Sequence, residues 1–308
     1  MKMTRLLVWA FLLAVGLGKA AAQGPNAETL SKEANAAYET KDWEKTAKLY
    51  GELSREITEP PPRVWLRLGA ALRSLGKYDE ALVAFEKANQ SGAGLFGEYG
   101  KACVYAALQQ PEKAFSALDS AVKQGYADPE NLQSDPNLAT LRSDARFAKI
   151  VEQAKKNQRP CAYAAENRQF DFWLGEWEVS TTEGAVPAGN SKIELILEDC
   201  VVEENWKSLG SIYAGKSYNI YNAALKRWEQ YWVDNVGGNI FFYGGLKDGV
   251  MDYWTDELPQ PNGTKLRRHL QFIKMGPDTV RQFSQGSSDG GKTWKVEYDF
   301  TYRRKSKG

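Results

Sequence analysis

The chain runs to 308 residues, enough for two domains that each bury a core. Its 40 basic and 39 acidic side chains leave a net charge of +1, and nothing here argues for nucleic acid as the main partner, which would call for a basic face or stripe. A single histidine excludes multi-histidine metal sites and argues against a Ser-His-Asp or Cys-His set, so no catalytic residue and no metal is assigned.

Residues 1–22 read as a Sec-type signal peptide. Lys2 and Arg5 supply the positive start, Leu6 to Leu17 the apolar centre, and Ala20-Ala21-Ala22 the small residues of a cleavage site before Gln23. The apolar run falls short of the roughly 20 residues that span a bilayer, and no later stretch reads as membrane-spanning. Export to a periplasm or to the medium is expected. In that setting the three cysteines matter. Cys103 lies on an apolar helical face with Ala102, Ala106 and Ala107 and reads as a buried free thiol. The preferred pairing of the other two is a Cys161–Cys200 disulfide, pinning the start of the second domain to its sheet and contributing about 2–4 kcal/mol.

From 23 to 157 the apolar residues recur at helical spacing and the pattern repeats. Trp65, Leu68, Gly69, Leu72, Gly76, Tyr78, Ala81, Phe85 and Ala88 resemble the signature of the tetratricopeptide repeat. Leu30, Ala34, Ala37, Trp43, Tyr50 and Leu53 fill corresponding places in an earlier unit, and Ala102, Tyr105, Ala114, Leu118 and Ala121 in a later one. Pro60-Pro61-Pro62 reads as the end of the first unit. Asp128-Pro129 and Asp135-Pro136 break the chain again, and Asn137 to Asn157 reads as capping helices. The resemblance implies a helical solenoid whose groove holds a protein or peptide partner. The alternative is a spacer or a dock for the second domain.

Residues 158–165 read as a linker and 166–308 as strands, with seven of the ten tryptophans from Trp173 onward. Turns are expected at Asn222 to Lys226, Gly237-Gly238, Gly244-Gly245, Lys247-Asp248-Gly249, Pro261-Asn262-Gly263 and Gly276-Pro277-Asp278. About eight to ten short strands with no room for crossover helices predict an antiparallel up-and-down β-barrel, and so a multidomain α and β protein. Gly175-Glu176-Trp177 resembles the Gly-x-Trp triplet that opens the first strand of lipocalins and related calycin barrels. That resemblance implies an arginine from the last strand stacked on Trp177: Arg304 first, Arg303 second, on a face read as Trp294, Val296, Tyr298, Phe300, Tyr302 and Arg304. The whole segment also resembles the calycin-like domain of an exported bacterial family. Ser287 to Trp294 matches the Asp-box pattern of sialidase-type propellers. It is read as a folding device, with Asp289 bonding turn amides and Trp294 anchoring the hairpin.

Polar residues on apolar strand faces suggest a pocket. Glu204 shares a face with Val202 and Trp206, and Gln230 lies between Trp228 and Trp232. Gln271 is opposite in phase to Leu270 and Phe272, while Arg281 shares a face with Phe283. Together with Tyr221, the residues Glu204, Trp206, Gln230, Trp232, Gln271 and Arg281 are the ligand-binding candidates if these faces point inward. A buried Glu204 would need a partner, for which Arg268 and Arg281 are available. Some calycins ligate haem through one histidine, but His269 reads as a hydrogen-bonded strand residue, so no cofactor is expected. Asp234, Asp252, Asp256 and Glu257 show no spacing that ties two into a catalytic pair. The expected function is non-catalytic capture of a small apolar or aromatic molecule, with the repeats recruiting a protein. The alternatives are an interaction module with a filled barrel and a calycin-type enzyme on an apolar substrate.

Overall fold

The computed structural model describes residues 25–261 and 263–306; residues 1–24, which include the segment read as a signal peptide, and Asn262, Lys307 and Gly308 lie outside the described residues. The chain divides into two compact units between Gln158 and Arg159. No described helix is long and apolar enough to cross a membrane.

The first unit is a stack of helical hairpins: α1 (Pro25–Glu39) with α2 (Trp43–Glu56), α3 (Pro62–Ser74) with α4 (Tyr78–Ala88), and α5 (Gly94–Ala107) with α6 (Pro111–Lys123). It closes with α7 (Pro129–Ser134), a 3-10 turn over Pro136–Leu141, and α8 (Ala145–Gln158). The repeat is visible in the backbone. Lys41, Gly76 and Gln109 all take left-handed φ (58°, 72° and 55°) in the turn inside each hairpin. In each case the following amide bonds the carbonyl five residues back: Asp42 to Ala37, Lys77 to Leu72, Gln110 to Tyr105. This is the same helix-ending motif at spacings that match the sequence repeat. Between hairpins, the Phe85 ring fills the space over Gly69 and Gly100, where an added Cβ would lie 2.8 and 2.3 Å from the ring.

Two readings of this half change. Pro62 starts α3 rather than ending the first unit, because its fixed φ and missing N–H suit the first turn of a helix. The closing segment is a 3-10 turn plus a helix, since Pro136 opens a short turn capped by Asp135.

The second unit opens with α9 (Pro160–Tyr163) and two 3-10 turns, Ala165–Arg168 and Asp171–Trp173. Its strands are β1 (Gly175–Thr181), β2 (Pro187–Ile196), β3 (Val201–Ser208), β4 (Ala214–Asn222), β5 (Arg227–Asp234), β6 (Asn239–Lys247), β7 (Val250–Trp254), β8 (Leu258–Pro259), β9 (Lys265–Gly276), β10 (Thr279–Ser287) and β11 (Lys295–Arg304). Neighbours pair antiparallel in meander order. β1 pairs with β11, and β9 pairs with both β7 and β10, so ten strands close into a barrel with the two-residue β8 as an appendage.

The stretch read as a linker is tied to this unit. Cys161 and Cys200 form a disulfide, and Arg159 pairs with Glu198 and Asp199. These bonds hold a turn in which Leu197, Glu198 and Asp199 all have positive φ, a conformation that non-glycine residues adopt at a cost of about 1–3 kcal/mol each. Gly244-Gly245 lies inside β6 and makes no turn. A Cβ at Gly244 would sit 1.9 Å from the Asp252 carbonyl oxygen, so glycine serves close strand approach.

Candidate functional site

One end of the barrel is closed by its own leading segment. Phe170 and Trp173 are fully buried and pack on Phe272 at ring distances of 4.9 and 4.5 Å. The Trp228 indole donates to Gln169 and that of Trp177 to the Trp173 carbonyl. Arg304 lies with its guanidinium 4.3 Å above the Trp177 ring and donates to the Leu174 carbonyl at 2.7 Å. Gly175, at φ 128°, leaves room for it: a Cβ there would lie 2.2 Å from Arg304 Nη1. Arg303 faces outward, donating to Ser180.

Above this floor lies a cavity of about 330 Å³. Of its twelve lining residues seven are aromatic, one is acidic and none is basic. The two indoles of the wall lie over glycines of the neighbouring strands. A Cβ at Gly189 would meet the Trp206 ring at 2.6 Å, and one at Gly215 the Trp232 ring at 2.3 Å. Trp206 stacks on Phe300, which stacks on Tyr298. Trp232, Tyr213 and Ile240 stand toward the loops at the other end of the barrel.

The polar base of the cavity is centred on Glu204, which is 2% exposed. Ser191 and Tyr302 donate to its Oε1 at 2.8 and 3.2 Å, and Ser217 to Oε2 at 3.1 Å. Asn219 donates to Ser217, Gln230 to Asn219, and Tyr302 to Gln282 at 2.7 Å. The result is a chain of hydrogen bonds that runs from β5 through β4 to β3, crosses the barrel interior from Glu204 to Tyr302 of β11, and ends on β10. Burial pushes the Glu204 carboxyl up to about 7, against the pull of its three hydroxyl donors. The single Tyr302 proton faces two acceptors. A protonated Glu204 resolves this by donating to Tyr302, which then donates to Gln282.

Glu204, Trp206, Gln230 and Trp232 line the cavity. Tyr221 packs on Trp228, 6.1 Å between rings, within the barrel core but outside the cavity lining. Gln271 and Arg281 do not belong to the interior. Leu270 and Phe272 point in, so alternation turns Gln271 outward to bond Asp252. Val280 and Gln282 likewise turn Arg281 outward, where it pairs with Asp299. Arg268 pairs with Glu297, so hydroxyls rather than a guanidinium satisfy Glu204. Missing from the sequence reading were Ser191, Ser217, Asn219, Gln282 and Tyr302. The polar phase of Ser217 and Asn219 on a strand was the available signal.

The outer face holds the remaining singled-out residues. His269 stacks on Trp254 at 3.8 Å; its Nε2 is bonded to Asp252 and its Nδ1 to Gln285, so both ring nitrogens are engaged. Asp289 accepts from the Lys292 and Thr293 amides and from the Thr293 and Ser287 hydroxyls, with Thr293 foremost in holding its carboxyl well below the usual range. Trp294 bonds the Gly291 carbonyl and packs edge-on to Trp254. A bulge opposite Ser284 and Gln285 breaks the phase of β11. Trp294 and the exposed Val296 therefore part company with the inward Tyr298, Phe300 and Tyr302. Asp234 accepts turn amides, Asp256 the Tyr243 hydroxyl, and Glu257 pairs with Lys265. Among the described residues no cluster of three metal-ligating side chains occurs.

In the helical unit, Arg67 bridges two hairpins by bonding Asn35, Tyr50 and Glu39 while lying 4.5 Å over the Tyr38 ring. Cys103 is a buried free thiol, and burial pushes it up to about 12.

Residues 62–88 match the tetratricopeptide repeat family. A 93-residue stretch is 39% identical to a chloroplastic protein of Arabidopsis thaliana, covering 29% of this chain and 28% of that protein, under a third of its length. Among solved structures, PcrH of Pseudomonas aeruginosa is similar at 21% identity and TM-score 0.32, over 44% of this chain and 98% of that one. MamA of Desulfovibrio magneticus is similar at 19% identity and TM-score 0.36, over 46% and 79%. The TPR2B domain of yeast Sti1, in a complex with pHsp70, is similar at 22% and 0.32, over 43% and 98%. The tetratricopeptide repeat points to protein–protein interaction for the helical unit.

Proposed function

We propose that the barrel captures a small, largely apolar or aromatic molecule and that the repeats recruit a protein or peptide partner. The protein acts outside the cytoplasm, exported by residues 1–22, and its barrel is of lipocalin-like kind. The observation that carries this reading is the 330 Å³ aromatic cavity with a short polar base, the composition typical of small-molecule sites. The Gly175–Trp177–Arg304 arrangement supports the lipocalin-like assignment. The test is a neutral aromatic probe, N-phenyl-1-naphthylamine. Its fluorescence should rise on binding to the wild-type chain and stay at baseline with Ser208→Trp, which fills the cavity. Equal signals from both proteins would place the probe elsewhere and sink the reading.

A second reading, acid–base chemistry on an apolar substrate, is favoured by Glu204 lying beside Tyr302 with its pKa raised. Binding ranks first because hydroxyls hold both Glu204 oxygens, which suits a positioned recognition group better than a free base.

A further inference from the structure

Glu204 is the one carboxyl of the cavity lining, and no lysine, arginine or histidine lines it. The nearest titratable neighbours are the phenols of Tyr302 and Tyr298 on β11; β2 and β4 present Ser191 and Ser217. Arg268 and Arg281, the candidates for a counter-charge, are spent on Glu297 and Asp299. A carboxylate has about four acceptor positions, two on each oxygen. In the ionised state, with the Tyr302 proton turned from Gln282 to Glu204, Ser191 and Tyr302 take those of Oε1 and Ser217 one of Oε2, which leaves one position open. The cavity that Glu204 lines is walled by the rings of Trp206, Trp232, Phe242, Tyr298 and Phe300. Aromatic faces attract cations, most strongly where water is excluded.

Resting on the small-molecule reading above, we infer that the ligand is an organic ammonium: a flat apolar body between the indoles, with its charged nitrogen at the open acceptor of Glu204. The cation supplies the counter-charge that the fold omits. Below about pH 7 the Glu204 proton must leave to solvent when the ammonium binds, so proton and ligand compete. An anion of the same shape meets the carboxylate and is rejected, and a neutral isostere leaves Glu204 desolvated without compensation.

The test is calorimetric titration of the full chain, freed of bound molecules, with three ligands of one shape: tryptamine, 3-propylindole and indole-3-propionate. At about pH 8 tryptamine should bind tightest, by at least about tenfold over 3-propylindole, with the anion weakest. Its affinity should fall toward pH 6 while that of 3-propylindole stays level. Glu204→Gln should collapse the preference for the amine. If 3-propylindole binds as tightly as tryptamine, or the preference survives in Glu204→Gln, the ammonium assignment is wrong and the small-molecule cavity stands. If none of the three binds, both fall. Should the variant not fold, the wild-type series and its pH dependence decide the matter.

Discussion

Glu204→Gln keeps the side-chain shape and removes the buried carboxyl, so its effect on stability should depend on pH. In the folded barrel the group titrates near 7, against 4.5 as the ordinary value. An acid with a raised folded pKa contributes stability that is fully present below its unfolded pKa and lost as pH rises through the folded one. At about 1.36 kcal/mol per pKa unit, the shift corresponds to roughly 3 kcal/mol of wild-type stability lost between about pH 4.5 and pH 8. Glutamine has no such dependence. At about pH 4.5 the variant should be the less stable by about 1–3 kcal/mol, because its amide NH2 faces donors that Glu204 accepts. By about pH 8 that deficit should shrink or reverse. The assay is urea unfolding of ligand-free protein, followed by tryptophan emission. A wild-type-to-variant difference that is constant across the range, within about 0.5 kcal/mol, would refute a buried carboxyl with a raised pKa.

Replacing Cys161 and Cys200 by serine should cost the barrel about 2–4 kcal/mol, since the bridge closes a sequence separation of 39 residues. Peptide mapping without reductant checks the bond itself, and an unchanged urea midpoint would contradict its role. Gly175→Ala should destabilise by about 1–3 kcal/mol, because φ is 128° and the new methyl runs into Arg304; an unchanged midpoint at unchanged m would be the failure. Phe85→Ala should cost the helical unit about 3–5 kcal/mol by emptying the space between Gly69 and Gly100. Circular dichroism at the helical band reads it, and a loss below about 1 kcal/mol would show that the hairpins close over the gap.

The architecture was legible because each unit repeats one physical device. Helical spacing with small residues at Gly69 and Ala81 announced packed hairpins, and Gly-punctuated alternation announced a meander that has to close. The cavity was legible only in part. Glu204, Trp206, Gln230 and Trp232 share strand faces with apolar neighbours, which grouped them but left open which side is inward; the structure turns these faces in. Gln271 and Arg281 failed because polar residues beside aromatics also occur on an outer face, where Asp252 and Asp299 satisfy them. Ser191, Ser217 and Tyr302 converge on Glu204 from β2, β4 and β11, a meeting set by cross-strand register that no single stretch encodes. The bulge in β11 also hid from alternation, which carried Trp294 and Val296 onto the wrong face. Lys41 and Gln109 escaped as turn residues for the opposite reason: the left-handed turn is normally signalled by glycine, and only Gly76 supplied it.

The central claim is that the barrel is a receptor. The direct measurement is native mass spectrometry of the chain purified gently from its own host, followed by solvent extraction and identification of whatever is released. The account predicts a reproducible adduct in one-to-one ratio, small enough for a cavity of about 330 Å³ and absent from Ser208→Trp. A clean unliganded mass, together with no tryptophan fluorescence change across apolar, aromatic and ammonium compounds, would contradict it and leave the protein to its repeats.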